Sequence, residues 1–212
     1  FGLKVHFEGL DLPTDTIALV GLRGHYVGIA PVASENGGRL WNLAFNVPAK
    51  HLKQFGKDHD ALLEACQREN PALRAALGSA KRVGDWLTCP LPRFSVRRDW
   101  PDGVVPVGNA AAALEPVGGE GMGLAMHSAV LAADAVARGD TTGLADAYHR
   151  VWSTRRLACR AIAVTLSSPL GGPAVGAANL LPPLARGVMR LMGKAAGDAP
   201  TTITHRNAAA IS

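Results

Sequence analysis

Apolar and polar residues alternate at different periods along this 212-residue chain, and the changes of period divide it. Phe1, Leu3, Val5 and Phe7 alternate with Gly2, Lys4 and His6, the period-two pattern of a half-buried strand. Two apolar runs follow, Ile17 to Leu22 and Tyr26 to Val32, with Gly24 as the turn between them. Glu35-Asn36-Gly37-Gly38 predicts a hairpin, because Asn-Gly tolerates the positive φ that such turns need. Beyond it Trp41, Leu43, Phe45 and Val47 alternate with Asn42, Ala44 and Asn46. Consecutive strands joined by short turns imply an antiparallel sheet, one face apolar and the other carrying small and amide side chains.

The period then becomes helical. Asp58 is placed to cap a helix through Cys66, and Asn70-Pro71 starts a second short helix that Gly78 ends. Val83 to Thr88 and Phe94 to Arg98 read as further strands, and Asp102-Gly103 as a turn. A helix to about Arg138 carries Met122, Met126, Val130, Ala133 and Val136 or Ala137 at three- and four-residue intervals, the spacing of a core-facing stripe. Its other flank, Ala125, Ser128, Ala132 and Ala135, is small enough for close packing, and Gly139 stops it. Another helix starts near Leu144. No charged residue occurs from Ala161 to Ala185, but Ser167-Ser168-Pro169, Gly171-Gly172-Pro173 and Pro182-Pro183 interrupt the stretch, which argues against a membrane span. Two short packed or interfacial helices fit better, the second from Leu184 to Met192, followed by a frayed tail.

Composition narrows the class. With 48% hydrophobic and 18% charged residues the chain has the makings of a packed core, not of a disordered segment. A net charge of +5, with few aromatics and none interleaved with the basic residues, does not suit nucleic-acid binding. Three well-separated cysteines form no CxxC pair and no zinc spacing, which implies a reducing cytoplasm. Phe1 to Phe7 has no signal-peptide character, and the chain starts inside an element without an initiator Met, so a fragment of a longer protein is expected.

The informative stretch is Val104 to Ala129, VVPVGNAAAALEPVGGEGMGLAMHSA. A short apolar run, Val104, Val105 and Val107, reads as a buried strand. A small-residue turn at Gly108 to Ala111 and a glycine cluster at Gly118, Gly119, Gly121 and Gly123 then open into a helix. Strand, turn, glycines and helix start together present backbone N–H groups to an anion or a polar ligand edge.

This stretch resembles the second FAD-contacting segment of FAD-dependent oxidoreductases of the p-hydroxybenzoate hydroxylase type, and of their geranylgeranyl-reductase-like and flavin-halogenase relatives. The family form is a strand, G-D-A-A, a proline, G-x-G, and a helix with A-x-x-S-A. Its counterparts are Gly108, Asn109, Ala110, Ala111, Pro116, Gly119, Gly121, Ala125, Ser128 and Ala129. The resemblance implies FAD as cofactor and NAD(P)H as electron donor. Gly108, Asn109, Ala110 and Ala111 would lie against the ribityl chain and Pro116 near the ring face. Gly119, Gly121, Met122 and Gly123 would lie at the ring edge, where helix N-terminal amides stabilise charge. Asn109 stands where the family has Asp; its amide still offers a donor and an acceptor to a hydroxyl. By the same resemblance one sheet face roofs an apolar substrate, with Tyr26 and Asn42 lining it. Of a geranylgeranyl-reductase Tyr-x-Trp-x-Phe-Pro pattern, Tyr26 and Pro31 are present but Gly28 and Ala30 replace the aromatics.

The chain contains no G-x-G-x-x-G, so the Rossmann half that would hold the pyrophosphate is absent and is expected N-terminal to it. The expected architecture is α+β: an antiparallel-sheet, substrate-side region over 1–103, an FAD-contacting strand–loop–helix over 104–140, and a helical region over 141–212. The expected function is the C-terminal portion of a cytoplasmic monooxygenase on an apolar or aromatic small molecule. The alternatives are reduction of a lipid-like C=C bond with the cationic tail at a membrane surface, or a binding module that has lost FAD. Glu120 reads as a solvated or helix-dipole carboxylate and His127 as a packing or surface residue. Met122 and Met126 read as core, and Arg155, Arg156 and Arg160 as a solvated helix face.

Overall fold

A computed structural model of the chain describes residues 1–33 and 39–191. They form two compact units, Phe1–Leu91 with Val164–Ala177, and Pro92–Ala163 with 178–191. The fold is α+β, its sheet wholly antiparallel in the order β2-β3-β4-β1-β5.

The strands are β1 (Gly2–Glu8), β2 (Ala18–Leu22), β3 (His25–Ala33), β4 (Arg39–Asn46) and β5 (Lys81–Cys89). Period-two alternation sets the register: Leu3 pairs Phe45, Val5 pairs Leu43 and Phe7 pairs Trp41, so the large apolar side chains share one face. The Asn-Gly turn expected between β3 and β4 lies outside the described residues, although the strands flanking it pair as a hairpin should. β1 and β5 change register between Lys4 and His6, beside Gly84 at φ +75°, a conformation that favours glycine.

Helices α2 (His59–Glu69) and α3 (Pro71–Leu77) cover the apolar face with Leu62, Leu63, Cys66, Leu73 and Leu77. Both caps form as the sequence implies: Asp58 accepts from the Ala61 amide at 2.9 Å and Asn70 from the Leu73 amide at 3.1 Å. Helix α1 (Ala49–Phe55) was not anticipated; it starts after Pro48, has no side-chain cap and buries no residue. Trp86 on β5 closes the core's edge, its ring 5.7 Å from Phe45 and its indole N–H donating to Asp60 at 2.9 Å.

The second unit corrects three expectations. Phe94 to Arg98 is not a strand; it makes one isolated bridge, Val96 to Ala112, within this unit. The strand expected at Val104 to Val107 does not form either. Pro106 lacks an amide donor, no neighbouring strand pairs with the segment among the described residues, and Val104 and Val107 are exposed. Helix α4 (Gly121–Ala137) forms where expected, but with its faces exchanged. Leu124, Ser128, Ala132 and Ala135 are buried, whereas Met122, Met126, Val130 and Val136 are 80%, 67%, 59% and 58% exposed. Helix α5 (Leu144–Leu166) packs Leu144, Tyr148 and Trp152 against the small flank of α4. Helices α6 (Gly171–Leu180) and α7 (Pro182–Leu191) follow, and among the described residues no single helix is long and apolar enough to cross a membrane.

Candidate functional site

The turn at Gly108 is fixed from below by α4. Gly108 has φ +56°, and a Cβ there would come within 3.3 Å of the Ala125 methyl. Its amide donates to Ser128 Oγ at 2.8 Å, and that hydroxyl donates to the Ala125 carbonyl at 2.7 Å. Ser128 is fully buried. The A-x-x-S spacing thus has a mechanical meaning: the alanine makes room for the turn and the serine, one helical turn on, holds its amide. Tyr148 fastens the approach to this turn, donating to the Pro106 carbonyl at 2.8 Å, and its burial pushes the phenol pKa up. This bond joins residues 42 positions apart, and no local pattern in the sequence announces it.

After the turn, Ala111 is fully buried and its carbonyl accepts from the Arg97 amide at 2.7 Å, whereas Asn109 and Ala110 are exposed. Pro116–Gly118 forms a single 3-10 turn that ends at Gly119 with φ +65°, the left-handed conformation. Pro116 and Gly119 are exposed; Val117 and Gly118 are buried. Helix α4 then starts at Gly121 without a side-chain cap. Its first amides have no intrahelical acceptor, as at any helix start.

Gly121 and Gly123 are the informative glycines. Neither has a positive φ, and a Cβ on either would meet nothing within 4 Å. Nothing in the described residues therefore calls for glycine there, although glycine in a helix costs up to about 1 kcal/mol relative to alanine. An uncapped helix start, two glycines facing open space and the exposed Asn109, Pro116 and Met122 all lie in this unit. These residues fit a flat polar ring edge and a hydroxylated chain, the chemistry of FAD.

Two acidic residues bracket the loop, and both are enclosed. Glu115 is buried and pairs with Arg160 of α5. Glu120, with a side chain 12% exposed, lies 3.8 Å from Arg155 of α5. Of the two expectations for Glu120, the solvated one does not hold and the place at a helix start does, and Arg155 and Arg160 are not a purely solvated face. An open cleft of about 310 Å³ lies at the other end of α4, lined by Asp134, Arg138, Asp140 and Arg150 among others. It contains none of the expected site residues.

In the sheet unit, β1, β3 and β4 line up His6, Asn42 and Ala30 in one row of the open face, and Lys4, Ala44 and Gly28 in the next. Asn42 Oδ1 is buried and is the one such side-chain atom without a hydrogen-bond partner among the described residues. Tyr26, at the end of the same face, is 5% exposed, and its hydroxyl accepts from Asn46 Nδ2 at 3.2 Å. Its cross-strand partner Gly21 packs so tightly on Leu166 that a Cβ would come within 2.2 Å of that carbonyl oxygen. Elsewhere in this unit His25 approaches Cys66 Sγ at 3.4 Å and the Arg23 carbonyl at 3.1 Å. Burial lowers the His25 pKa and pushes the Cys66 thiol up to about 12, so Cys66 is inert. No group of three metal-ligating side chains occurs among the described residues.

Comparison with known proteins yields no matching family model and no matching curated protein. Solved structures do match. The flavin-dependent brominase Bmp2 aligns over 91% of this chain and 49% of its own, with a TM-score of 0.67 and 22% identity. The myxobacterial chondrochloren halogenase CndH, a variant of FAD-dependent halogenases, aligns over 72% and 37%, with a TM-score of 0.55 and 20% identity. A variant of PqsL from Pseudomonas aeruginosa, a probable FAD-dependent monooxygenase, aligns over 81% and 50%, with a TM-score of 0.54 and 20% identity. The chain spans half or less of the length of these proteins. It has the fold of part of the flavin-dependent halogenases and of an FAD-dependent monooxygenase, as its glycine segment implied.

Proposed function

We propose that this chain is the substrate-side portion of an FAD-dependent oxidoreductase, a monooxygenase acting on an apolar or aromatic small molecule with NAD(P)H as electron donor. The observation that carries this reading is the pair Gly121 and Gly123 at the uncapped start of α4, whose missing side chains leave open space that nothing in the described residues fills. FAD, when bound, supplies the redox chemistry; the protein orients it and sets the field around it. The amides of Gly121, Met122 and Gly123 would donate to the ring edge that gains negative charge on reduction. The Asn109 amide would hold a ribityl hydroxyl beside Gly108 and Ala110, and Ala111 would anchor that turn from the core. Pro116 and Gly119 would shape the wall at the ring. On the sheet, Asn42 Oδ1 offers a substrate N–H or O–H the partner it lacks in the described structure.

The exposed stripe of α4 supports the view that a dinucleotide-binding half completes the protein. Met122, Met126, Val130 and Val136 form an apolar helix face of the kind that otherwise lies inside a core. The chain also spans only about half of Bmp2. The test is direct. The complete protein, purified from cells, should be yellow and hold flavin, and Gly121→Val should release it, since a branched side chain blocks backbone approach. Colourless wild-type protein that does not quench added FAD fluorescence would reject the reading in favour of a binding module that has lost FAD.

A second reading, reduction of a C=C bond in a lipid-like substrate at a membrane surface, is favoured by one observation. Helix α7 buries no residue, and Leu181, Leu184 and Leu191 are more than half exposed. Arg186 and Arg190 lie one turn apart on the helix, and no acidic residue occurs from 161 to 191. Such a helix suits an anionic interface. Flotation with phosphatidylglycerol-containing vesicles, compared with phosphatidylcholine alone, tests it; equal absence from both would remove this reading.

A further inference from the structure

The ion pairs that bracket the glycine loop are arranged as a clamp. Glu115 precedes Pro116 and Glu120 precedes Gly121, so one carboxylate stands at each end of the loop. Arg160 and Arg155 stand on α5 at the same separation of five residues, and they pair in antiparallel order, Glu115 with Arg160 and Glu120 with Arg155. The carboxylates are the enclosed partners: the Glu115 side chain is 2% exposed and that of Glu120 12%, against 65% and 30% for Arg160 and Arg155. An unpaired carboxylate in such a position is costly, and one beside a helix start cancels part of the positive field that its amides create. With a partner arginine that charge is offset. At 3.8 Å the Glu120 contact is longer than a hydrogen bond, so its effect is chiefly coulombic.

We propose that Arg155 and Arg160 are positioning residues of the cofactor loop. They tie both of its ends to α5 and neutralise the two carboxylates beside it, so that the start of α4 keeps a net positive field toward the reduced ring edge. This rests on the FAD reading above. Neither arginine touches the ring in this account; each acts through its glutamate.

The experiment is a redox titration of the complete flavin-bound protein with three variants, Arg155→Gln, Glu120→Gln and the double substitution, alongside flavin dissociation constants for both oxidation states. Arg155→Gln removes a positive charge beside Glu120 and should weaken binding of reduced flavin about tenfold relative to oxidised flavin, a shift of about 30 mV to more negative potential for a two-electron couple. Glu120→Gln should move the potential the other way. The double variant should return toward wild type, the non-additivity that marks a coupled pair. Arg155→Lys should restore most of the wild-type potential, which a purely packing role would not allow. For the other end, Arg160→Gln should raise the flavin dissociation constant and Arg160→Lys should recover it. Flavin bound at wild-type stoichiometry with an unmoved potential in both Arg155→Gln and Glu120→Gln would overturn the proposal while leaving the FAD reading intact. A wild-type protein without flavin would overturn that reading, and the proposal with it.

Discussion

The sheet unit and the glycine-loop unit treat their apolar residues in opposite ways. In the sheet unit Trp41, Leu43, Phe45, Val5 and Ile29 point to one face, and α2 and α3 cover it; all are 3% exposed or less. In the loop unit α4 turns its small residues inward and leaves two methionines and two valines in the open. The first unit satisfies its own hydrophobic pattern. The second satisfies only half of its pattern, and its first-turn glycines have no internal purpose. The sheet unit thus has the character of a scaffold, and the unmet pattern of the loop unit is what the proposed cofactor and dinucleotide-binding half would meet.

Substitutions in the two units should therefore behave differently. The largest effect is expected at Trp41, which is 2% exposed in the sheet core. Trp41→Ala should cost about 3–5 kcal/mol, read as a lowered urea midpoint at unchanged slope. A cost under about 1 kcal/mol would mean that the sheet core is not closed as described. Next comes Ser128→Ala, which strands the Gly108 amide and should cost about 1–3 kcal/mol. If the loop unit is a ligand site, the same variant should also raise the flavin dissociation constant, because the turn loses its anchor.

A smaller effect is expected from pH. His25 is buried and its pKa lies below the ordinary 6.5, chiefly through desolvation, with His51 adding to the lowering and the Arg23 carbonyl and Glu69 opposing it. The unfolded chain then binds the proton first as pH falls. Its contribution to stability is complete above about pH 6.5 and is lost progressively as pH drops toward the lowered folded value. His25→Asn should flatten that part of the stability–pH curve; a parallel curve would exclude His25 as its source. The smallest effect is expected at Met126, 67% exposed. Met126→Ala should change the stability of this chain by under about 0.5 kcal/mol. If a dinucleotide-binding half covers the stripe, as proposed, the same substitution should cost more in a protein that carries that half; equal small effects in both would mean that the stripe faces solvent throughout.

How much could be read from the sequence differs between the units for the same reason. Alternation at Phe1 to Phe7 and Trp41 to Val47 gave the sheet and its inward face, since a two-residue period leaves only one face for the core. The caps at Asp58, Asn70 and Gly78 were legible because each satisfies a specific backbone group. Helix α1 was not, having neither a capping side chain nor a buried face. In α4 the three-to-four spacing identified an apolar stripe but could not say whether this chain covers it. The strand expected at Val104 failed because apolar content supplies no pairing partner, and Pro106 offers no donor; Val104 and Val107 are exposed instead. At the site, glycine spacing and A-x-x-S located the turn and its helix. The Glu115–Arg160 and Glu120–Arg155 pairs join residues 45 and 35 positions apart, and no local pattern announces them.

The most direct measurement is the flavin content of the complete purified protein, wild type beside Gly121→Val, by visible absorbance after removal of free cofactor. The account predicts near-stoichiometric FAD in the wild type, and a folded Gly121→Val variant, with the wild-type circular-dichroism spectrum, that retains little or none. Flavin-free wild type, or a Gly121→Val protein as yellow as wild type, would contradict it.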